Sequence, residues 1–319
     1  MATRDVKLAQ IASLANGTGE WHGEAWSPPF EPFTTRSASE ALRNSSILIL
    51  GESTGRRLAS TMARHLSGQD QLESLSFVES EWWLSQGGHG TFDWKRIMPA
   101  MAVARLEFVW APGSRDALGY CSSKLRPADY IVLALGMHDL VGRGSCPTVT
   151  RHNGSSWLAC ASSRTEGGEP VPSELRAPLP VNESALPRLT QLSGTIASAL
   201  SCLCPLARRA LVWRTLPPMC AVDCPFYTAK MNGEIALLNN LIRERLRTLN
   251  DTTCSPRIAD WGSAMRAHDH DESRWSLAGE LHNGFPHAYH YNNVGRQVEL
   301  QLVYASALGT TGRGEEGSR

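Results

Sequence analysis

One short segment constrains the fold of this chain more than any other: an apolar run, ILIL at residues 47–50, that stops abruptly at the sequence GESTG, residues 51–55. A continuous apolar run of this length is typical of a strand that is buried on both faces of a parallel sheet. Leu58, Met62 and Leu66 then recur at helical spacing, which predicts a helix directly after the turn. Ser53 is therefore expected at a strand-to-helix turn, where several backbone N–H groups have no intrahelical partner.

Two interpretations of Ser53 follow from this placement. A serine at the start of a helix commonly serves as its N-cap and has no chemical role. The same turn also presents a hydroxyl group beside free N–H groups, and the flanking glycines allow the sharp bend that an exposed nucleophile needs. The sequence GESTG also satisfies the GxSxG pattern of the nucleophile elbow. Both interpretations stay open on these residues alone.

The rest of the chain alternates predicted strands with predicted helices. Short apolar runs predict strands at 46–50, 75–78, 106–110, 130–135, 210–214 and 257–260. Apolar residues at every third or fourth position predict helices over 189–203 and 230–249, the period expected of one buried helix face. The predicted fold class is α/β, a doubly wound parallel sheet covered by helices on both faces in three layers, α/β/α.

Composition divides the chain into a lead, a domain with an insertion, and a tail. Residues 1–44 are rich in Trp, Pro and Ser without clear periodicity, which predicts an irregular N-terminal lead. Residues 45–308 form the predicted domain, and residues 309–319 are expected to be a disordered C-terminal tail. Within the domain, residues 141–185 are rich in Gly, Ser and Pro and predict a long insertion, in which Cys146 and Cys160 are candidates for a disulfide.

The charge balance excludes one class of partner. The chain has 31 Lys+Arg and 31 Asp+Glu residues, so its formal net charge is zero, and nucleic-acid binding is not expected because no basic footprint is present. No apolar run reaches the ~20 residues of a membrane span, and the opening residues lack a signal-peptide core. A membrane anchor is therefore not visible in the sequence.

Cysteines and sequons nevertheless indicate the secretory pathway. The 8 cysteines include no CxxC pair, which favours disulfides over zinc. N-x-S/T sequons, the acceptors of N-glycosylation, occur at Asn16, Asn44, Asn153, Asn182 and Asn250. These two signals predict a location in the secretory lumen or outside the cell.

Chemically useful residues follow the predicted strands. The carboxyl ends of parallel strands meet at one edge of a doubly wound sheet, where ligands bind. Ser53 follows the first predicted strand, Gly113 follows 106–110, His138 and Asp139 follow 130–135, and Asp260 ends the last strand. A histidine-rich stretch and a final predicted helix come next. We therefore expect a site at this edge of the sheet.

The order and spacing of these segments resemble the SGNH (GDSL-type) esterases, and within them the PC-esterase and neurexophilin-like branch. The resemblance covers about residues 45–308. GESTGRR resembles the GDS block, with Glu52 in place of the usual aspartate, and DYIVLALGMHDL resembles the strand that leads into the third block. ALVWRTLPP and KMNGEIALLNNLI resemble the stretch before the last blocks, and IADWGSAM and HAYHYNNVGRQVELQLVYA resemble the closing region. Only about 50 residues precede the turn, unlike in α/β-hydrolases, so the GxSxG match is interpreted as incidental.

The resemblance implies a role for each candidate residue. Ser53 would be the nucleophile that forms an acyl-enzyme, and His290 would be its base. Gly113 and His138 would form the oxyanion hole with the Ser53 N–H, although many relatives have asparagine where His138 stands. Asp139 would orient this loop. The implied activity is that of an ester hydrolase or O-acyltransferase acting on O-acyl groups, typically O-acetyl groups, of a carbohydrate, without a cofactor.

The closing block departs from the family pattern. His287 stands where the aspartate that orients the base is expected, three residues before His290. A replacement carboxylate could come from one of four residues, Asp260, Asp269, Asp271 or Glu280, and His282 or His287 could be the base instead. The missing aspartate keeps a second class open, a catalytically inactive SGNH-fold domain that binds glycans or an extracellular partner.

A third class, metal-dependent hydrolysis, is suggested by the tract HDHDE at residues 268–272 together with the downstream histidines. Imidazole and carboxylate groups are ligands of divalent metals. The HxH spacing lacks the geometry of a recognised zinc motif, so a solvated polar loop is the expected interpretation and no metal is predicted.

Overall fold

The structure of the protein is a computed structural model that describes residues 20–22, 25–27, 32–68, 91–121, 125–141, 178, 180–218, 225–249, 255–266 and 293–309. In chain order its elements are β1 (Glu20–His22), β2 (Ala25–Ser27), α1 (Thr35–Ala41), β3 (Ser46–Gly51), α2 (Ser53–Leu66), β4 (Thr91–Asp93), α3 (Trp94–Ile97), β5 (Arg105–Trp110), α4 (Ser114–Cys121), β6 (Ala128–Ala134), α5 (Met137–Val141), α6 (Leu186–Leu203), β7 (Ala207–Arg214), α7 (Pro225–Leu249), β8 (Arg257–Ala259), α8 (Trp261–Arg266) and α9 (Asn293–Leu308). Short 3₁₀ turns, Glu183–Ala185 and Cys204–Leu206, flank α6.

The strand order confirms the predicted fold class. The main sheet of the described residues has the order β4-β5-β3-β6-β7-β8. Strand β3 pairs in parallel with both β5 and β6, and β6-β7-β8 continue in parallel, whereas β4 is an antiparallel edge strand. The five parallel strands therefore follow the chain order 2-1-3-4-5, which is the flavodoxin-like doubly wound arrangement.

Alternate residues of the central strand serve the two faces of the sheet. Ile47 and Ile49 belong to a core with residues of α1, α2, α8 and α9. Leu48 and Leu50 belong to a second core with residues of α4, α6 and α7. Burial on both faces explains why the sequence of β3 is continuously apolar.

Five of the six predicted strands overlap strands of the structure, and the sixth lies outside the described residues. Strands β3, β5, β6, β7 and β8 each overlap a predicted run, and α6 and α7 extend the predicted helices at their N-terminal ends. The run predicted at 75–78 lies outside the described residues. The antiparallel edge strand β4 was not predicted, because three residues are too few to show a period.

The N-terminal lead contains structure that the composition did not predict. Strands β1 and β2 pair in antiparallel fashion, and α1 begins after Thr34, whose side chain forms a capping box with Ser37. Phe33 N donates to Gln301 Oε1 at 2.7 Å, and Gln301 Nε2 donates to the Phe33 carbonyl at 3.1 Å. The expectation of an irregular lead therefore does not hold for β1, β2 and α1. Helix α1 is fixed by its capping box and by the contact of the preceding Phe33 with α9, without a long periodic segment.

A disulfide joins α4 to α6 across the predicted insertion. Cys121 and Cys202 form this bond over a sequence separation of 81 residues, and Cys204 is also disulfide-bonded. Cys146 and Cys160, the expected pair, lie outside the described residues, as do most of the predicted insertion and all but one residue of the predicted tail. Within the described residues, Glu183–Leu206 is long and apolar enough to cross a membrane, but Leu189, Ile196 and Leu200 are fully buried in the core.

Candidate active site

Ser53 is the first residue of α2, directly after β3, and is half-buried. Glu52, not Ser53, occupies the N-cap position, with φ −90° and ψ −160°, and its side chain makes no capping hydrogen bond. The structure therefore does not use Ser53 as the N-cap of α2, which was one of the two interpretations of this residue. Ser53 lies at the carboxyl edge of the sheet, as the sequence predicted.

The glycines beside Ser53 allow close packing rather than an unusual backbone angle. A Cβ atom at Gly51 would overlap the Ala134 carbonyl oxygen. A Cβ atom at Gly55 would lie 3.1 Å from the same oxygen and 3.2 Å from Ala134 Cβ. Neither glycine has a positive φ. The sequence predicted a sharp bend at these glycines, whereas the structure shows that they allow the turn of Ser53 to pack against β6.

The Glu52 carboxylate joins the carboxyl end of β3 to the turn that follows β6. It is fully buried and accepts hydrogen bonds from Met137 N at 3.0 Å and His138 N at 2.8 Å. Burial raises the pKa of Glu52, and the nearby His138 and Arg214 charges and these two N–H groups oppose the rise. This carboxylate therefore fixes the turn before α5 relative to Ser53.

Asp139 joins the turn that follows β5 to the turn that follows β6. Its Oδ2 accepts a hydrogen bond from Ser114 N at 2.8 Å, and burial raises its pKa against this bond. A Cβ atom at Gly113 would lie 2.8 Å from Asp139 Oδ1, so this close approach requires glycine. The structure thus brings the turns of Ser53, Gly113 and His138 together at one edge, as predicted from the strand order.

The His138 side chain is partly exposed beside Ser53's turn. It is 31% exposed, with Nδ1 3.9 Å from Glu52 Oε2. The Trp110 ring lies edge-on to the imidazole, with 5.8 Å between the ring centroids. Gly136, two residues earlier, has a φ of 121°, which favours glycine there. His138 is therefore held between a carboxylate and an aromatic ring, with one side open to solvent.

Asp260 lies at the same edge but is engaged in local contacts. Its Oδ1 accepts hydrogen bonds from Thr215 Oγ1 at 3.1 Å and Ser263 N at 3.2 Å, and it is 2.6 Å from Arg243 Nη2. These contacts join the ends of β7 and β8 to the start of α8 and to α7. A role for Asp260 as partner of a catalytic histidine stays a prediction.

The predicted base and its alternatives lie outside the described residues. These are His290, His287 and His282, with the candidate carboxylates Asp269, Asp271 and Glu280 and the rest of the tract 268–272. Helix α9 begins at Asn293, directly downstream of His290. The distances from these groups to Ser53 therefore stay predictions. Among the residues that are described, no group of three or more His, Cys, Asp or Glu side chains is arranged to hold a metal ion.

Buried charges behind Ser53 were missed in the sequence. Arg214 ends β7 and is fully buried; its Nη2 donates to Thr54 Oγ1 at 2.8 Å, and its Nε lies 3.3 Å from Glu299 Oε1 on α9. The guanidinium carbon lies 5.0 Å from the centre of the Trp261 ring. The signal was present, since an arginine ends the apolar run ALVWR and a glutamate interrupts the apolar face of the last helix.

Burial dominates the electrostatics of this pair. It raises the pKa of Glu299 to about 7, against the opposing charges of Arg214 and Arg296. It lowers the pKa of Arg214, which the charges of Glu299 and Glu52 oppose. The pair is therefore costly to bury, as expected for ions that are removed from water.

Comparisons with known proteins found two remote structural neighbours. No family model and no curated protein matches the sequence. An acetyl xylan esterase from Geobacillus stearothermophilus is similar with a TM-score of 0.43 and 9% identity, over 84% of this chain and 95% of that chain. An alpha/beta hydrolase enzyme from the metagenome of Lake Arreo, Spain, is similar with a TM-score of 0.40 and 13% identity, over 84% of this chain and 98% of that one. These two matches carry no argument about family or chemistry. The proposals below depend on the geometry of the described residues and on the family resemblance seen in the sequence.

Replacing Glu299 by Gln should change how stability depends on pH. The ordinary pKa of glutamate is about 4.3, whereas that of folded Glu299 is about 7. Between these values the folded state holds a proton that the unfolded state has released, so the free energy of unfolding should fall as pH rises. The Glu299→Gln variant should lack this component, on the order of 3 kcal/mol at about 1.4 kcal/mol per pKa unit.

Urea unfolding of both proteins at about pH 5 and pH 8 measures the difference. Glu40→Gln, at an exposed position on α1, is the control and should retain the wild-type pH dependence. Identical pH dependence in wild type and Glu299→Gln would contradict the raised pKa.

Proposed function

We propose that this protein is a serine-dependent ester hydrolase or O-acyltransferase of the SGNH type that forms an acyl-enzyme at Ser53. The main support is the position of Ser53, half-buried at the carboxyl edge of a flavodoxin-like sheet. Its turn is joined through Glu52 to the turn of His138, which Asp139 joins to the turn of Gly113. Nucleophile and candidate oxyanion donors thus come from three adjacent strand ends.

In the proposed reaction, the Ser53 hydroxyl attacks an ester carbonyl while a histidine removes its proton. The negative charge of the tetrahedral intermediate is stabilised by the backbone N–H groups of Ser53 and Gly113 and by the His138 imidazole. Nδ1 of His138 is on the Glu52 side of the ring. The proposal therefore requires the ring to carry a proton on Nε2, either in that neutral tautomer or as the imidazolium ion, so that Nε2–H can donate to the intermediate. Water or a carbohydrate hydroxyl group then accepts the acyl group.

We assign the role of base to His290, because it directly precedes the last helix as the base does in the family that the sequence resembles. Its orienting carboxylate is one of Asp260, Asp269, Asp271 or Glu280, and His287 and His282 are the alternative bases. Asp260 is the member of this set that lies within the described residues, and the contacts described above involve its Oδ1. Its Oδ2 is the atom that would face a histidine.

The proposed substrates are O-acyl groups of carbohydrates, with O-acetyl as the first to test, and this choice depends on the family resemblance. We also propose a secretory or extracellular location. The Cys121–Cys202 disulfide supports an oxidising compartment. Asn44 and Asn182 are exposed, as acceptors of N-glycans must be.

A catalytically inactive binding domain is the second candidate function. It is favoured by one observation, His287 in the place of the orienting aspartate, since a histidine without a carboxylate is a poor base. Such a domain would keep the fold and the glycan site but would not form an acyl-enzyme. The variants below distinguish the two candidates.

Ser53→Ala should abolish the reaction. The purified protein should release acetate from an aryl acetate, and the variant should lose about 10³-fold or more of that rate, the scale seen when a nucleophile is removed. Fluorophosphonate labelling should be lost in parallel. Ser67→Ala, at the other end of α2, is the matched control and should keep both. Equal rates in wild type and Ser53→Ala would refute the nucleophile assignment.

The base can be identified by comparing three alanine variants. If His290 is the base, His290→Ala should be inactive while His287→Ala and His282→Ala retain most of the rate, because only the base removes the Ser53 proton. Circular dichroism reports whether each variant folds. If all three variants hydrolyse ester at the wild-type rate, no serine-histidine pair operates, and the binding-domain function is the better account.

His138→Ala should lower kcat by about 10²-fold, as for other lost oxyanion donors. His138→Asn is the control, because an amide N–H can donate in place of the imidazole, and it should recover much of the rate. Thermal unfolding is followed in parallel. Loss of folding in the Ala variant, with unchanged activity per folded molecule, would instead identify His138 as a structural residue.

A further inference from the structure

We propose that Arg214 is a positioning residue for Ser53, and that its buried guanidinium holds the nucleophile turn against α9. The inference depends on the proposed acyl transfer at Ser53 and adds a requirement to it. Arg214 does not touch substrate in this proposal. It acts on the residues that flank the nucleophile and on the helix that follows the predicted base.

The guanidinium interacts with both chain neighbours of Ser53. Its Nη2 donates to the hydroxyl of Thr54 at 2.8 Å, and its charge acts on the buried Glu52 carboxylate. Glu52 is in turn bonded to the backbone of the oxyanion turn. The planar, rigid fork of an arginine suits it to fix several groups at once. Ser53 is therefore held on both sides by groups that one side chain contacts or attracts.

The other contacts of Arg214 fix it to the elements downstream. Glu299 Oε1 on α9 lies 3.3 Å from its Nε, and the Trp261 ring of α8 lies under the guanidinium at 5.0 Å. Helix α9 begins at Asn293, three residues after His290. Arg214 thus links the turn that presents the nucleophile to the helix that comes directly after the predicted base.

Folding stability is a weak reason for this arrangement. Replacing a buried ion pair by apolar residues of similar size is often neutral or stabilising. Among the described residues, Arg214 Nη1 has no hydrogen-bond partner although it is buried, which adds to the cost. A displacement of about 1 Å at a reacting group can cost 10²-fold in rate. Accurate placement of Ser53 would therefore compensate in reaction rate for the desolvation cost of the buried pair.

The double variant Arg214→Met/Glu299→Met separates positioning from stability, because it removes both ions of the pair together. Glu52 and Arg296 each lose one opposite charge, so we expect a folded protein whose free energy of unfolding is lower than that of the wild type, and urea unfolding measures this loss. The kcat for aryl acetate should nevertheless fall by about 10²-fold, with KM changed far less, because placement of the nucleophile is lost. Fluorophosphonate labelling of Ser53 should slow by a similar factor. The pair Arg188–Glu234, which joins α6 to α7, provides the control Arg188→Met/Glu234→Met, with kcat unchanged.

Thr54→Val tests the same link without altering a charge, should the double variant not fold. It removes the acceptor of the Arg214 hydrogen bond and should lower kcat and the labelling rate with little effect on KM. Thr61→Val is the matched control, since Thr61 is also buried on α2 but its hydroxyl bonds to the Arg57 carbonyl. Wild-type kcat and labelling in either folded test variant would overturn the positioning role. A wild-type protein that is neither labelled nor active would overturn the proposed function itself.

Discussion

The buried carboxylate of Glu52 is the interaction on which the candidate site depends. This carboxylate has no exposure to solvent, so protein groups must stabilise it. The N–H groups of Met137 and His138 do so by donating hydrogen bonds to it. Because an unsatisfied buried carboxylate is costly, the turn that contains His138 must lie where these N–H groups reach the carboxylate. Glu52, the residue before Ser53, therefore determines where the carboxyl end of β6 and the turn after it are placed.

The same logic extends outward from Ser53. Asp139 joins the turn of Gly113 to that of His138, and Arg214 joins the turn of Ser53 to α9. Each link is a charged group held at a strand end by backbone N–H groups or by an opposite charge. In a doubly wound sheet, all strand ends of one polarity meet at one edge, so three such links are enough to assemble a site from segments distant in sequence.

Local patterns predicted the elements and failed where the determinants were not local. Strand β3 was predictable because burial on both faces requires an unbroken apolar run, and α7 because one buried face imposes a helical period. Helix α1 and the edge strand β4 are too short to show a period, and β4 is defined by its pairing with β5. The roles of Arg214 and Glu299 were not predicted, because a charged residue in an apolar run can be interpreted as a buried ion only when its partner is known.

The sequence by itself determined the strand-to-helix turn at Ser53, the alternation of strands and helices, and the candidate groups at the strand ends, since periodicity and residue type are local properties. Only the tertiary structure decided that the Glu52 side chain bonds to the turn before α5, that Gly51 and Gly55 are needed for contact with Ala134, and that Arg214 bonds to the residue after Ser53. These features depend on the approach of chain segments 80 to 160 residues apart. Residue type and periodicity describe only residues that are near one another in sequence. The relative position of distant segments is set by close packing of their side chains in the folded protein.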